Sequence, residues 1–147
     1  MLSTEALALG YALEADAVDL TEARAWACLH IAKLSDPSSE LLDLAVEVRI
    51  ADAVSLLHVL GQKADCAQAG KLAYRYLHRA IAKGTLSHER AAQEILRLAR
   101  DSCAPSEEAA SRSWHFDDAF FLAEHETYGT VAEVKADVEE HLKRFAV

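Results

Sequence analysis

The 147-residue chain predicts an all-α protein on three counts. Alanine, the strongest helix former, fills about one position in five, against only five glycines and two prolines. Apolar residues recur at spacings of three and four in segment after segment, which is the period of a helix with one buried side. No stretch keeps the alternation of a half-buried strand, and no repeat of fixed length emerges. Apolar residues make up 52% and charged residues 27%, a globular balance, and the length suits a single domain over residues 1–147. The expected architecture is about seven or eight short helices, mostly antiparallel helical hairpins packed around a central helix.

The best-marked helix runs from Ala67 to Gly84 near the middle of the chain. Leu72, Ala73, Tyr76, Leu77, Ala80 and Ile81 line one side, and Lys71, Arg75, Arg79 and Lys83 step by four along the other. Gly84 stands where a left-handed residue closes a helix. Earlier, Thr4 to about Glu14 reads as a first helix with Leu7, Tyr11 and Ala15 inward, weakened by Gly10. Thr21 offers a cap for a second helix ending near Leu34, with Trp26, His30 and Ile31 inward. Asp36-Pro37 stops one helix and starts the next. From Ser38 to Leu60 the apolar face changes, so two short helices with a bend near Glu47–Arg49 are expected, one long kinked helix being the alternative.

Ser87 caps a helix to about Asp101, with Arg90, Glu94 and Arg97 spaced to pair on its outer side. Cys103 to Ser113 reads as a surface loop holding at most one helical turn at Ser106–Ala110. Asp117 caps a helix from Asp118 to about Thr127 that Gly129 closes. Thr130 with Glu133 marks the start of the last helix, which buries Val131, Val134, Val138, Leu142 and Phe145. The core should include Trp26, Ile31, Leu57, Leu72, Leu77, Ile95, Val138 and Leu142.

Charge is distributed unevenly. The net charge is −9, yet residues 1–48 carry −7, residues 49–100 carry +5 and residues 101–147 carry −7. Acidic ends folded over a basic middle argue against nucleic acid and anionic membranes, and would steer in a basic partner. No apolar run approaches the ~20 residues of a membrane span. The N-terminus lacks a basic stretch, so no secretory signal is expected. Cys28, Cys66 and Cys103 show no CxxC spacing, and unpaired thiols in a reducing cytoplasm are the economical reading.

No catalytic, cofactor or metal signature is present. No histidine follows a glutamate by three residues, HExxH is missing, and there is neither a GxSxG motif nor a glycine-rich phosphate loop. Asp137 and His141 share a helix side without a further ligand near in sequence. The basic stripe of Lys71, Arg75 and Arg79 is a candidate anion-binding surface, or an ordinary polar side paired with acidic neighbours. The aromatic residues are concentrated late: Trp114, Phe116, Phe120, Phe121 and Tyr128 are half of the total. Such a cluster either seals the last hairpin onto the central helix or anchors a partner protein. In the second case Trp114 and Phe121 supply apolar contact, with Asp117, Asp118 and Glu124 at the rim.

Two resemblances bear on function. Arg24 to His30, RAWACLH, is similar in spacing to the Arg-x(4–6)-His motif of the HEPN superfamily of all-helical ribonucleases, which implies metal-independent RNA cleavage by Arg24 and His30. Ala25 stands where a polar residue usually follows the arginine, and the motif falls early in the chain. More broadly, four segments, GY…DLTEARAWA, DPSSELLDLA, KLAYRYLHRAI and HERAAQEILRLARD, give a layout that resembles a family of small uncharacterised bacterial all-helical proteins. Members often look like immunity proteins, which neutralise a toxin. That resemblance implies a small acidic cytoplasmic interaction protein that binds a basic partner protein, with no cofactor.

Overall fold

A computed structural model describes residues 1–147 as helices without strands. The order is α1 (Leu2–Glu14), α2 (Leu20–Lys33), α3 (Ser39–Val46), α4 (Ile50–Leu60), α5 (Cys66–Ala82) and α6 (His88–Arg100), followed by α7 (Glu107–Ser113), a 3-10 turn (Trp114–Phe116), α8 (Ala119–Glu124) and α9 (Val131–Phe145). None of these helices is long and apolar enough to cross a membrane.

Two helices organise the packing. α5 lies where the two halves of the chain meet, against α1, α6 and α9. α1 is buried on every side: Ala6 through Leu13 are all inaccessible, and the helix is wedged between α4 and α5. Its alanines, its Gly10 and the Gly61 that ends α4 make that wedge possible. A Cβ on Gly10 would sit 3.3 Å from the Leu57 Cβ, and one on Gly61 would sit 2.8 Å from the Leu7 Cβ. Gly10 therefore weakens α1 as a helix but lets α4 approach it closely.

Local capping chemistry sets most helix starts. Asp65, Ser87, Ser106 and Thr130 each accept a hydrogen bond from the backbone N–H three residues on, opening α5, α6, α7 and α9. The bend at 47–49 is present because the Glu47 carboxylate accepts from the N–H groups of Val48 and Arg49, at 3.0 and 3.1 Å. Other starts differ from expectation. α2 opens on Asp19 rather than Thr21, and α3 on Ser38 rather than Asp36. The segment 103–113 is not a loop. Cys103, Ala104 and Pro105 are buried, and α7 follows. Nor does Gly129 close α8, which ends five residues earlier at Glu124, two residues before a left-handed Glu126; its cap, Asp118, makes no side-chain bond.

One continuous core joins α1 through α6 to α9, and a smaller one under α8 holds Ala119, Ala123 and Val134. Leu57, Leu77, Ile95, Val138 and Leu142 are fully buried as expected, while Trp26, Ile31 and Leu72 pack half-buried at its edge. The buried aromatic of α5 is Tyr74 rather than Tyr76, and Tyr11 and Phe116 join it in the core.

Candidate functional site

The late aromatic cluster divides into a buried and an exposed set. α7 ends on Ser113, whose buried hydroxyl donates to the Ala110 carbonyl, and the 3-10 turn then points its residues in different directions. Phe116 goes inward and meets the His141 ring edge to face at 5.3 Å. Phe120 is half-buried. Trp114 is 51% and Phe121 60% exposed, and Tyr128 is exposed as well. The cluster thus both seals the hairpin and presents three rings to solvent.

Carboxylates surround those rings with differing freedom. Asp117 stands 3.7 Å from Arg100, whose guanidinium also lies 5.9 Å from the centre of the Trp114 ring. Glu124 is exposed, and the Phe121 ring beside it stacks on His125 at 4.1 Å. Asp118 lines a recess of about 160 Å3 with Leu122, Tyr128, Glu133 and Asp137. Its apolar floor and acidic rim suit a side chain with an aliphatic stem and a cationic tip. His115 approaches Asp137 at 3.5 Å and forms the boundary to a second recess.

That second recess, about 390 Å3 between α7 and α9, mixes both signs of charge. Arg112 and Arg144 both donate to the same Glu108 oxygen, at 3.1 and 2.8 Å. His141 forms part of its wall, with Nε2 2.9 Å from the Tyr74 hydroxyl. Burial, then the charges of Arg112 and Arg144, push His141 down to about 4, so it is neutral at pH 7. Burial also raises the Tyr74 phenol, which keeps its proton. Neutral partners of this kind make a structural bond. No three His, Cys, Asp or Glu side chains converge as a metal site, and Asp137 and His141 have separate partners.

The basic stripe on α5 is partly occupied within the chain. Arg75 donates to the Ala146 carbonyl at 2.8 Å, and Arg79 pairs with Glu22. Lys71 is half-buried and Lys83 exposed. Two of the four cations thus tie α5 to its neighbours, and Arg75 and Arg79 border a recess shared with His78 and Lys143. Arg24 and His30 do not meet within the chain. Arg24 donates to the Ala45 carbonyl at 3.2 Å, whereas His30 lies 2.9 Å from a Glu5 oxygen that also accepts from Trp26.

Glu94, read as an outer-face partner of Arg90 and Arg97, is buried instead, with 2% of its surface exposed. The C-terminal end of α1 covers that face. Arg90 donates to the Glu14 carbonyl, Arg97 bonds the Glu14 carboxylate at 2.8 Å, and one Glu94 oxygen is left without a hydrogen bond. Burial raises Glu94 to about 7, Glu14 and Asp101 adding to the shift while Arg97 and Arg90 oppose it. Cys66 and Cys103, distant in sequence, are neighbours here. Burial, with Cys66 as hydrogen-bond partner, pushes the Cys103 thiol up to about 12.

Comparison with protein-family models, with curated proteins and with solved structures finds no match to this chain.

Proposed function

We propose that this chain is a small acidic interaction protein, immunity-like and of bacterial cytoplasmic type, that neutralises a basic partner protein. The observation that carries the reading is the exposure of Trp114 and Phe121 beside carboxylates, of which Asp118 and Glu124 have no cation partner in the chain. Aromatic anchors dominate interface energetics, and acidic rims accelerate capture of basic proteins. The recess beneath Tyr128 gives a lysine or arginine of the partner a place to insert. Arg24 and His30 offer a ribonuclease reading no comparable support, since different side chains and carbonyls hold each of them.

Affinity capture from a native lysate, followed by titration of the recovered partner, tests the site. Trp114→Ala and Phe121→Ala should each weaken binding by about tenfold or more, as buried aromatic anchors do. Raising salt should slow association more than it speeds dissociation. A partner that binds both variants as tightly as the unaltered chain places the surface elsewhere. A small molecule that co-purifies in place of a protein overturns the class.

A further inference from the structure

Between Leu20 and Leu60 the fold leaves an apolar surface uncovered. Twelve large apolar side chains are exposed on the whole molecule, and seven lie in this segment, Leu29, Leu42, Val46, Val48 and Ile50 among them. The outer side of α2 is the centre of it. Ala23 and Ala27 face the core, while Ala25, Cys28, Leu29 and Ala32 share the opposite side at the spacing of one helix face, all exposed. A helix apolar on every side is ordinarily buried on every side, and α2 is buried on only one. Leu42 and Val46, one turn apart on α3, continue the surface, with exposures of 47% and 70%.

The charges on this face are segregated. Residues 23–34 carry Arg24 and Lys33 and no acid, whereas residues 35–47 carry Asp36, Glu40, Asp43 and Glu47 and no base. Lys33, Asp36 and Asp43 form no ion pair within the chain. α2 and α3 run antiparallel, since Arg24 near the start of one bonds Ala45 near the end of the other. The remaining acid of α2, Glu22, pairs with Arg79 on α5, so a basic outer side of α2 lies beside an acidic α3, and such a surface complements itself after a twofold rotation.

We infer that a second copy of the chain covers this face, in an isologous dimer whose twofold axis lays α2 of each protomer along α3 of its partner. Ala25, Cys28 and Ala32 allow close helix approach, and Leu29, Leu42 and Val46 form an apolar centre within a charged rim. Arg24 then stands near the partner's Asp43 and Lys33 near the partner's Asp36. A head-to-tail contact would leave one such patch open on every assembly, and only the twofold closes both.

Sedimentation of the full chain at low salt should find a dimer at about 0.1 mM, a concentration well above the dissociation constant of an ordinary specific interface. Leu29→Glu and Val46→Glu should each raise the dissociation constant by about a hundredfold or more, as a charge buried at an interface centre does. Lys33→Glu should weaken association a few-fold, and adding Asp36→Lys should restore it. Unchanged far-UV spectra exclude misfolding as the cause. The unaltered chain provides a second readout: alkylation of Cys28 should slow as concentration rises, while that of Cys66, exposed on α5, should not. A chain that sediments as a monomer at that concentration overturns the inference. A dimer that survives both glutamate substitutions, or in which Cys28 reacts at a rate independent of concentration, overturns it equally.

Discussion

Gly70→Ala is expected to destabilise the protein by on the order of 3 kcal/mol, although it improves the helix-forming tendency of α5. Helix propensity alone favours alanine by about 1 kcal/mol at an interior position. The surroundings reverse the sign. A Cβ at Gly70 would fall 2.0 Å from the Cys103 carbonyl oxygen, 3.0 Å from the Pro105 nitrogen and 3.1 Å from the Ala104 carbonyl carbon. All three are backbone atoms and none can rotate out of the way. Nor is the segment free to withdraw, because Cys103 donates to the Leu98 carbonyl at 2.8 Å and Cys103 through Pro105 are buried. Chemical denaturation should show a lower midpoint, and heating a transition earlier by about 10 °C for a domain of this size. Equal or greater stability in the alanine variant would mean that α5 and the 103–105 segment do not touch at this point. Gly84 supplies the contrast: its φ is +75° and nothing lies within 4 Å, so alanine there costs only the strain of a left-handed residue, about 1 kcal/mol.

The features legible in the sequence are those fixed by a few neighbouring residues. Ser87 and Thr130 cap α6 and α9 because each offers its oxygen to an N–H three residues away, and that geometry needs no tertiary partner. The bend at Glu47–Arg49 shows in the change of apolar face that precedes it. The ends of α1 and α6 fall where the sequence puts them, near Glu14 and Asp101, but the end of α8 at Glu124 is not legible, because Glu126 adopts the left-handed conformation without a glycine to announce it. The burial of α1, though not its place in the chain, is misread for a different reason. A helix apolar all round gives no periodicity, and ALALGYAL looks like one amphipathic face with extra alanines until α4 and α5 close over it. The same ambiguity hides the outer side of α2, where apolar residues occur on both the buried and the exposed sides.

At the candidate site, Phe120 and Phe121 are separated by the helical period itself, since adjacent residues point about 100° apart. The partial neutralisation of Asp117 by Arg100 depends on a contact between α6 and the 3-10 turn region that spacing cannot reveal. Glu94 shows the limit most clearly. Its spacing to Arg90 and Arg97 fits an exposed ladder, yet Arg90 turns to Glu14 once α1 arrives, and Arg97 keeps Glu94 only at 4.0 Å while it bonds Glu14 at 2.8 Å.

Buried Glu94 and buried His141 should act on stability with opposite dependence on pH. His141 titrates near 4 when folded and near 6.5 when unfolded. Its contribution is therefore complete above about 6.5 and is lost as pH falls through 4, because the unfolded chain takes the proton first. Glu94 titrates near 7 when folded against 4.5 when unfolded, so its contribution is complete below about 4.5 and is lost as pH rises through 7. Each shift corresponds to on the order of 3 kcal/mol at full extent. Between pH 7 and 4.5 the loss from one nearly offsets the gain from the other, and these two groups leave the unaltered protein with a shallow profile there. Glu94→Gln removes the carboxylate that neutralises only near pH 7. That variant should exceed the unaltered protein in stability at pH 8, then lose about 2 to 3 kcal/mol between pH 7 and 4.5 as the His141 contribution stands alone. His141→Gln should show the reverse slope and gain stability as pH falls over the same window. Urea denaturation at pH 4.5, 5.5, 7 and 8 reads both slopes. Profiles for Glu94→Gln and His141→Gln that run parallel to that of the unaltered chain would show that neither group is held away from water as the fold requires.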